Sequence, residues 1–214
     1  MEALICVFAK PPVAGEVKTR LELPPDSAVR LAQAFLDDTL EAAARVPWAE
    51  VAIASTAPIA STFSVLLQGE GDLGARIERV LRAALALAPA AIAIGADAPA
   101  LPSRFLEAAR AALRNHDAAL GPAEDGGFYL LALRSCPPGL LADLPWSADD
   151  TSARTLERLR ARGFSTAVLD PWFDVDRPED LVRLRGLITT GELIAPRTQA
   201  TLALLSATPA APPR

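Results

Sequence analysis

The chain has 214 residues, of which 51% are hydrophobic and 22% are charged, and this is enough for one α/β domain with a sizeable core. Its 26 acidic and 21 basic residues give a net charge of −5, which argues against a protein that acts mainly on a nucleic-acid backbone. One histidine and two cysteines exclude a Cys/His zinc cluster, and without a run long enough for a membrane span we expect a cytoplasmic protein.

Strand-like and helix-like segments alternate along the chain. Continuous apolar runs are typical of buried parallel strands, and they occur at residues 3–9, 51–55, 64–68, 90–97, 118–123, 127–133 and 165–169. Apolar residues at helical spacing predict helices to about residue 45, from GEGDLG (69–74) to about 87, and over 102–115, 149–163 and 177–188. For the first helix we expect Asp26 or Ser27 as the N-cap.

This alternation predicts one α/β domain over residues 1–205, with a mostly parallel sheet and helices on both of its faces. The last segment, SATPAAPPR (206–214), is rich in alanine and proline and lacks a hydrophobic period, so we expect a disordered tail. Ligands of such sheets bind beyond the carboxyl ends of the strands. The residues that follow strands are therefore the candidates for a site.

The first strand is followed by the only two lysines of the chain, in FAKPPVAGEVKTR. Lys10 and Lys18 stand with Thr19 and Arg20 around a turn at Gly15. Cationic side chains and backbone N–H groups in such a loop can wrap a phosphate. The segment is not a P-loop, because the glycine and lysine spacing of that motif is absent. A phosphate-binding loop and a solvated basic turn both agree with the spacing.

Asp97 follows the most apolar strand, in GADAP (95–99). A carboxylate at that position projects into the crevice and suits Mg²⁺ or Mn²⁺ held together with the phosphates of a ligand. The alternative is an N-cap for the helix near residue 103, although Ser103 is closer to that helix.

Glu124 and Asp125 precede the paired glycines Gly126 and Gly127 in AEDGG. The pattern is typical of an Asp-Gly hairpin turn. The glycines also allow a ligand to approach the backbone, and the following Phe-Tyr pair could line an acceptor pocket.

Asp174 and Asp176 alternate in DVD, so their side chains point the same way in an extended segment and could hold one cation. Asp176 could instead cap the helix that begins at Pro178.

Seven segments in this order resemble the bacterial DUF2064 proteins, also called radical-SAM/selenodomain-associated transferase 1, of the nucleotide-diphospho-sugar transferase (GT-A) superfamily. The segments are FAKPPVAGEVKTRL, FLDDTL, GEGDLGARI, GADAPALP, LGPAEDGGFYLLAL, PWSADDTSARTLERL and DVDRPEDL. The resemblance covers nearly the whole chain and implies a Rossmann-like GT-A fold, a nucleotide at the first loop and a divalent metal, Mg²⁺ or Mn²⁺.

The resemblance also implies roles for individual residues. The family's K-T-R-L segment, here with Lys18, Thr19 and Arg20, would face the nucleotide phosphates. Lys10, at the end of the first strand, could reach the same crevice or flank it. The family's G-D-L-G segment, with Gly71, Asp72 and Gly74, would contact the nucleoside or sugar.

Asp97 matches the aspartate that stands in place of a glycosyltransferase D-x-D, but alanines flank it here. A second metal ligand must then come from elsewhere, and Asp174 or Asp176 is the candidate. The E-D-G-G segment, with Glu124, Asp125, Gly126 and Gly127, would form the acceptor side, and Asp125 would orient or deprotonate the acceptor hydroxyl.

Three functions follow from this resemblance. The first is metal-dependent glycosyl transfer from a nucleoside diphosphate sugar to a small acceptor, with Asp97 and its metal at the leaving diphosphate. The second is nucleotidyl transfer from an NTP with release of pyrophosphate, because K-T-R-L also resembles the phospholactate guanylyltransferases. The third is nucleotide binding without turnover, which the single carboxylate of GADAP favours. The oligomeric state leaves no trace in the sequence.

Overall fold

Seven strands and six helices make up the regular structure in the computed structural model, which describes residues 1–146 and 148–207. The strands are β1 (Ala3–Ala9), β2 (Ala49–Ser55), β3 (Ser64–Leu67), β4 (Ala91–Gly95), β5 (Ala118–Pro122), β6 (Phe128–Leu133) and β7 (Thr166–Val168). The helices are α1 (Pro25–Ala44), α2 (Leu73–Leu85), α3 (Ser103–Ala112), α4 (Thr151–Ala161), α5 (Pro178–Thr189) and α6 (Pro196–Ala207).

The strands form one sheet in the order β3-β2-β1-β4-β6-β5-β7, which confirms the predicted mostly parallel α/β fold. β6 is antiparallel to both of its neighbours, and the other strands all run in one direction. The first residue of β6 therefore lies at the edge where the other strands end. The predicted Asp-Gly turn connects β5 to β6, and Gly126 donates from its backbone to the Ala123 carbonyl.

Helices cover both faces of the sheet, as the apolar runs predict. Ile5 and Val7 of β1 pack with α1 and α3 on one face. Leu4 and Cys6 pack with α2 and α4 on the other face. Successive side chains of a strand point to opposite faces, so a strand buried on both sides is apolar throughout.

Two helix ends differ from the sequence predictions. α1 begins at Pro25, with Pro24 at the N-cap position and no capping side chain, so the predicted cap by Asp26 or Ser27 is wrong. Because the fixed φ of proline suits the first helical turn, Pro25 can start the helix. Residues 208–214 of the predicted tail lie outside the described residues, and 206–207 end α6.

The sequence does not predict α6. The backbone N–H groups of Arg197 and Thr198 in its first turn donate to the buried carboxylate of Asp38 on α1, at 3.2 and 2.7 Å. The capping residue is thus far away along the chain, and Pro196 at the first helical position is the local signal for the start of the helix. None of the described helices combines the length and the apolarity needed to cross a bilayer.

Candidate active site at the carboxyl edge of the sheet

The site lies where the order of the strands reverses. From β1 the chain proceeds outward to β2 and β3, and it then returns to the other side of β1 to form β4. The connections that follow β1 and β4 therefore diverge and leave a crevice, as in other open α/β sheets. Lys10 follows β1 directly, and Asp97 stands two residues after β4.

Two cavities open along this edge. The first has a volume of about 520 Å³, and its polar lining includes Lys10, Glu16, Lys18, Thr19, Arg20, Thr56, Gln68, Arg76, Asp97 and Asp176. The second has about 340 Å³, and its polar lining includes Arg20, Asp97, Asp125, Tyr129, Thr151, Asp174 and Asp176. Both are lined by Phe8, Leu73, Arg20, Asp97 and Asp176, so the cavities adjoin at these residues.

Lys18 connects the loop after β1 to the far side of the crevice. Its ammonium lies 2.5 Å from Asp97 Oδ1 and 3.5 Å from Asp176 Oδ1, and it donates to the Val175 carbonyl at 2.7 Å. Only 5% of the side chain is exposed, and the ring of Phe35 lies 5.2 Å away. Three protein oxygens thus surround the ammonium, two as hydrogen-bond acceptors and the third in an ion pair.

Arg20 is placed differently from Lys18, although both belong to the K-T-R-L segment. Its side chain is 74% exposed, and its guanidinium stands 3.8 Å from Asp176 Oδ2. Lys18 immediately precedes the short 3-10 turn Thr19–Leu21, whereas Arg20 lies within it, and Leu21 at its end is buried. The alternative hypothesis, a solvated basic turn, therefore holds for the exposed Arg20 and not for the buried Lys18.

Four carboxylates converge at the boundary of the two cavities. Burial raises the pKa of Asp174 to about 7, and repulsion from Asp97, Asp125 and Asp176 adds to the effect, while Lys18 opposes it. The predicted D-V-D geometry holds, since Asp174 and Asp176 both line the second cavity while Val175 between them is buried in the core. Asp176 does not cap α5; instead Asp180 in the first turn accepts from the backbone N–H groups of Asp176 and Arg177, just before the helix.

The first cavity contains polar residues that the sequence analysis did not single out. Gln68 is buried at the end of β3 and donates to the Ala54 carbonyl at 2.8 Å. Thr56 follows β2 directly, and Arg76 lies on the first turns of α2. The strand-end rule applied to β2 and β3 would have found Thr56 and Gln68.

The second cavity has an aromatic wall. Phe128 at the start of β6 meets Trp146 edge to face, with 6.1 Å between the ring centroids. The Thr151 hydroxyl donates to the carbonyls of Pro145 and Ala148 on both sides of Trp146, at 2.6 and 2.8 Å. Phe128 and Tyr129 were expected in an acceptor pocket and do line this cavity. Trp146 was missed, because no pattern in the sequence connects residue 146 with β6.

Several predicted residues lie beside the cavities and do not line them in the described part of the chain. Glu124 forms a two-pronged ion pair with Arg183 at 2.6 and 3.0 Å. Gly126 has a φ of +93°, and a Cβ there would stand 2.0 Å from the Asp149 carbonyl oxygen. The adjacent Gly127 does line the second cavity, and its N–H donates to Asp125 Oδ1 at 2.9 Å.

The G-D-L-G segment shapes the start of α2. Asp72 caps the helix by accepting from the Ala75 N–H at 2.8 Å. Gly74 is buried where a Cβ would meet the Leu141 carbonyl at 2.4 Å and the Trp146 ring at 2.9 Å, and Gly71 has a φ of +111°. Within the described residues the first cavity is lined by the neighbours Leu73 and Arg76, and not by these three.

The carboxylates suit a hard cation, although no group of three or more His, Cys, Asp or Glu side chains forms a ready metal cage within residues 1–146 and 148–207. Mg²⁺ is usually held by one or two carboxylates together with water and ligand phosphates, so such a cage is not required. The mutual repulsion that raises the pKa of Asp174 is relieved by a cation at this place. The donor set therefore fits a divalent metal.

The family model described as an uncharacterized protein conserved in bacteria (DUF2064) matches residues 38–148, which is more than half of the chain. The chain belongs to the DUF2064 family. No match to a curated protein was found for this DUF2064 protein.

Solved structures share the fold of this DUF2064 protein. A protein of Desulfovibrio desulfuricans G20, provisionally named a nucleotide-diphospho-sugar transferase, is 30% identical with a TM-score of 0.84, over 97% of this chain and 96% of that one. CMP:2-keto-3-deoxy-manno-octonic acid synthetase in complex with CTP is 15% identical with a TM-score of 0.60, over 89% of this chain and 100% of that one.

The 4-diphosphocytidyl-2C-methyl-D-erythritol synthase of Anaerococcus prevotii DSM 20548 is 10% identical with a TM-score of 0.58, over 88% of this chain and 99% of that one. At such identities the likeness concerns the fold alone. The likeness to the 30% identical Desulfovibrio desulfuricans protein identifies the DUF2064 protein as a transferase.

Proposed function

We propose that the protein transfers a glycosyl group from a nucleoside diphosphate sugar to a hydroxyl group of a small acceptor. One observation carries the proposal: a cavity that holds cations adjoins a cavity with carboxylates and aromatic rings, and Asp97 lies at the boundary. Cations attract a diphosphate, whereas carboxylates and aromatic faces suit a polyhydroxylated group. The bond to be broken would lie between these two environments.

The nucleotide would occupy the first cavity. Lys10, Thr19, Arg20 and Arg76 line it and offer charged and neutral donors to the phosphates. Lys10 and Arg20 are exposed, and an anion can reach them without the loss of an internal hydrogen bond. Gln68 and Thr56 at the ends of β3 and β2 provide polar groups for the nucleoside.

We assign Lys18 a positioning role. Its ammonium holds Asp97 and Asp176 from one side, and both carboxylates face the boundary of the cavities. Asp97, Asp174 and Asp176 would hold Mg²⁺ or Mn²⁺, and the ion when bound neutralises charge on the leaving diphosphate. The backbone N–H of Val175 donates to the Asp97 carbonyl at 2.9 Å, and this bond keeps the end of β4 beside the D-V-D segment.

Asp125 would act on the acceptor. It lies on the turn before β6, lines the second cavity and is exposed, so it can meet an incoming hydroxyl. The acceptor oxygen forms a bond to the anomeric carbon, the bond to the diphosphate oxygen breaks, and Asp125 takes the hydroxyl proton. A positioned general base of this kind contributes about 10²–10⁴-fold in rate.

Nucleotidyl transfer is the second candidate. The fold likeness to two cytidylyltransferases, with TM-scores of 0.60 and 0.58 and nearly complete coverage of those chains, favours it. In that reaction the acceptor oxygen attacks the α-phosphorus of an NTP, and pyrophosphate leaves with the bonding electrons. The same cations and carboxylates would serve it.

The experiment is a calorimetric titration with nucleoside diphosphates and triphosphates in Mg²⁺ or Mn²⁺, followed by product analysis. Release of a nucleoside diphosphate from a nucleotide sugar supports the first candidate, and release of pyrophosphate supports the second. Arg20→Ala should weaken nucleotide binding by roughly 1.5–3 kcal/mol, as expected for a charged hydrogen bond. Arg160→Ala, an exposed arginine on α4, is the matched control. If no nucleotide binds with either metal, both candidates fail.

A further inference from the structure

We infer that the acceptor bound in the second cavity is an uncharged or cationic alcohol with an apolar face, and that it carries no phosphate or carboxylate group. The inference rests on the proposed function, in which the donor nucleotide occupies the first cavity. It adds the chemical class of the acceptor, which follows from the charge and the surface of the second cavity.

The two cavities differ in the balance of acidic and basic side chains that line them. Asp97, Asp125, Asp174 and Asp176 line the second cavity, and Arg20 is the one cationic side chain among its described lining residues. The first cavity is lined by the cations Lys10, Lys18, Arg20 and Arg76 against three carboxylates. An anionic acceptor would therefore enter a region of the site that already has a surplus of negative charge.

The two nearby cations offset only part of this surplus, because both face Asp97 or Asp176. Arg20 also lines the first cavity, is 74% exposed, and faces Asp176 at 3.8 Å. Lys18 is 5% exposed, and its donors are taken by Asp97, Asp176 and the Val175 carbonyl. A divalent ion at Asp97 would be balanced by the donor diphosphate that it binds. Asp174 would share that ion, and Asp125 remains without a cationic partner among the described contacts.

The remaining wall of the second cavity is apolar. It is formed by Phe8, Leu73, Ile77, Ala93, Ile94, Phe128, Trp146 and Ala148. The edge-to-face contact of Phe128 and Trp146 holds the two rings at 69° to each other. The Thr151 hydroxyl fixes the segment on both sides of Trp146. An aromatic wall opposite carboxylates binds a molecule with a hydrogen-bonding edge and an apolar face.

The experiment compares two aryl compounds that differ in charge: 4-nitrophenyl β-D-glucoside and 4-nitrophenyl phosphate. Their binding is measured by saturation-transfer NMR on the full-length protein saturated with Mg²⁺ and the nucleoside diphosphate that binds best. We expect the glucoside to bind at least tenfold more tightly. The difference should shrink as salt increases from 50 to 500 mM, because screening weakens the repulsion of the phosphate ester.

One variant in the second cavity and one control outside it test whether this cavity causes the difference in binding between the two compounds. Asp125→Asn keeps an oxygen that can accept from the Gly127 N–H and removes one negative charge, so it should narrow the difference severalfold. Asp143→Asn removes one charge from an exposed residue with a φ of +58°, which asparagine tolerates, and it should leave the difference unchanged.

The inference is overturned if the phosphate ester binds as tightly as the glucoside, if neither compound binds, or if Asp125→Asn and Asp143→Asn have the same effect. Nucleotide binding is measured first and separately. If a nucleotide binds and the glucoside does not, the acceptor class is wrong while the proposed donor site stands. If no nucleotide binds, the proposed function itself has failed.

Discussion

The Lys18 ammonium lies 2.5 Å from Asp97 Oδ1 and so ties the loop after β1 to the segment that follows β4. The same ammonium donates to the Val175 carbonyl, 157 positions further along the chain. Three segments that meet at the crevice are thus held by one buried cation. Lys18 has a left-handed backbone, with a φ of 50°, a conformation that residues other than glycine rarely adopt.

The first prediction concerns the stability of Lys18 variants. Lys18→Ala should lower the free energy of unfolding by about 1–3 kcal/mol, because it removes charged hydrogen bonds and leaves the Val175 carbonyl unpaired. Arg20→Ala, which changes a 74% exposed side chain, should cost less than about 1 kcal/mol. Urea unfolding of the three proteins measures both values. Equal effects of the two substitutions would contradict the positioning role of Lys18.

The second prediction compares two glycines with positive φ angles. Gly126 has a φ of +93°, and a Cβ there would meet the Asp149 backbone, whereas Gly163 has a φ of +80° and open space around it. Gly163→Ala should cost about 1 kcal/mol for the left-handed conformation alone. Gly126→Ala should cost a further ~1–3 kcal/mol, because the backbone of residue 149 must move. Thermal unfolding measures both, and similar losses would show that residues 126 and 149 are not packed.

The third prediction concerns the two thiols. Burial raises the pKa of Cys6 and of Cys136 to about 12. At pH 8 almost no thiolate is present, so a disulfide reagent should label the native protein far more slowly than the urea-unfolded chain. Because the pKa values are raised by folding, the folded state is favoured below the unfolded pKa near 9 and loses this advantage as the pH rises toward 12. Rapid labelling of both thiols in the native protein would refute their burial.

The fourth prediction concerns stability in acid. The Ser165 hydroxyl and backbone N–H donate to Asp117 Oδ2 at 2.5 and 2.9 Å, and these bonds lower the pKa of that carboxyl. A lowered pKa stabilises the fold above the unfolded pKa near 4, and the effect is lost as the pH falls through the folded value. Asp117→Asn should therefore lose less stability than the wild type between pH 6 and pH 3, as measured by urea midpoints. A greater loss in the variant would contradict the assignment.

The positions of the strands along the chain could be read from the sequence because burial on both faces requires apolar residues throughout. ALICVFA is β1 to the residue, and the other six predicted strands differ from the structure by a few residues at their ends. The strand-end rule also led to Lys10, Asp97 and Asp174, which all line the crevice. Each of these predictions depends on neighbouring residues alone.

Other features depend on contacts between distant residues. The cap of α6 is Asp38, and the wall of the second cavity combines Phe128 with Trp146 from another segment. The antiparallel direction of β6 brings Gly127 and Phe128 to the edge where the other strands end. Trp146 lies in the segment PWSADDTSARTLERL, but the resemblance gives it no role at the site.

For the cations of the site, too, one part follows from the sequence and another part from the tertiary structure. By itself the sequence determined that both lysines of an acidic chain stand in the loop after β1, because that loop is one continuous segment. Only the tertiary structure decided that Lys18 is buried against Asp97 and Asp176 while Arg20 remains exposed. The partners of a cation are set by which strand ends meet in space, and that depends on the order of the strands in the sheet.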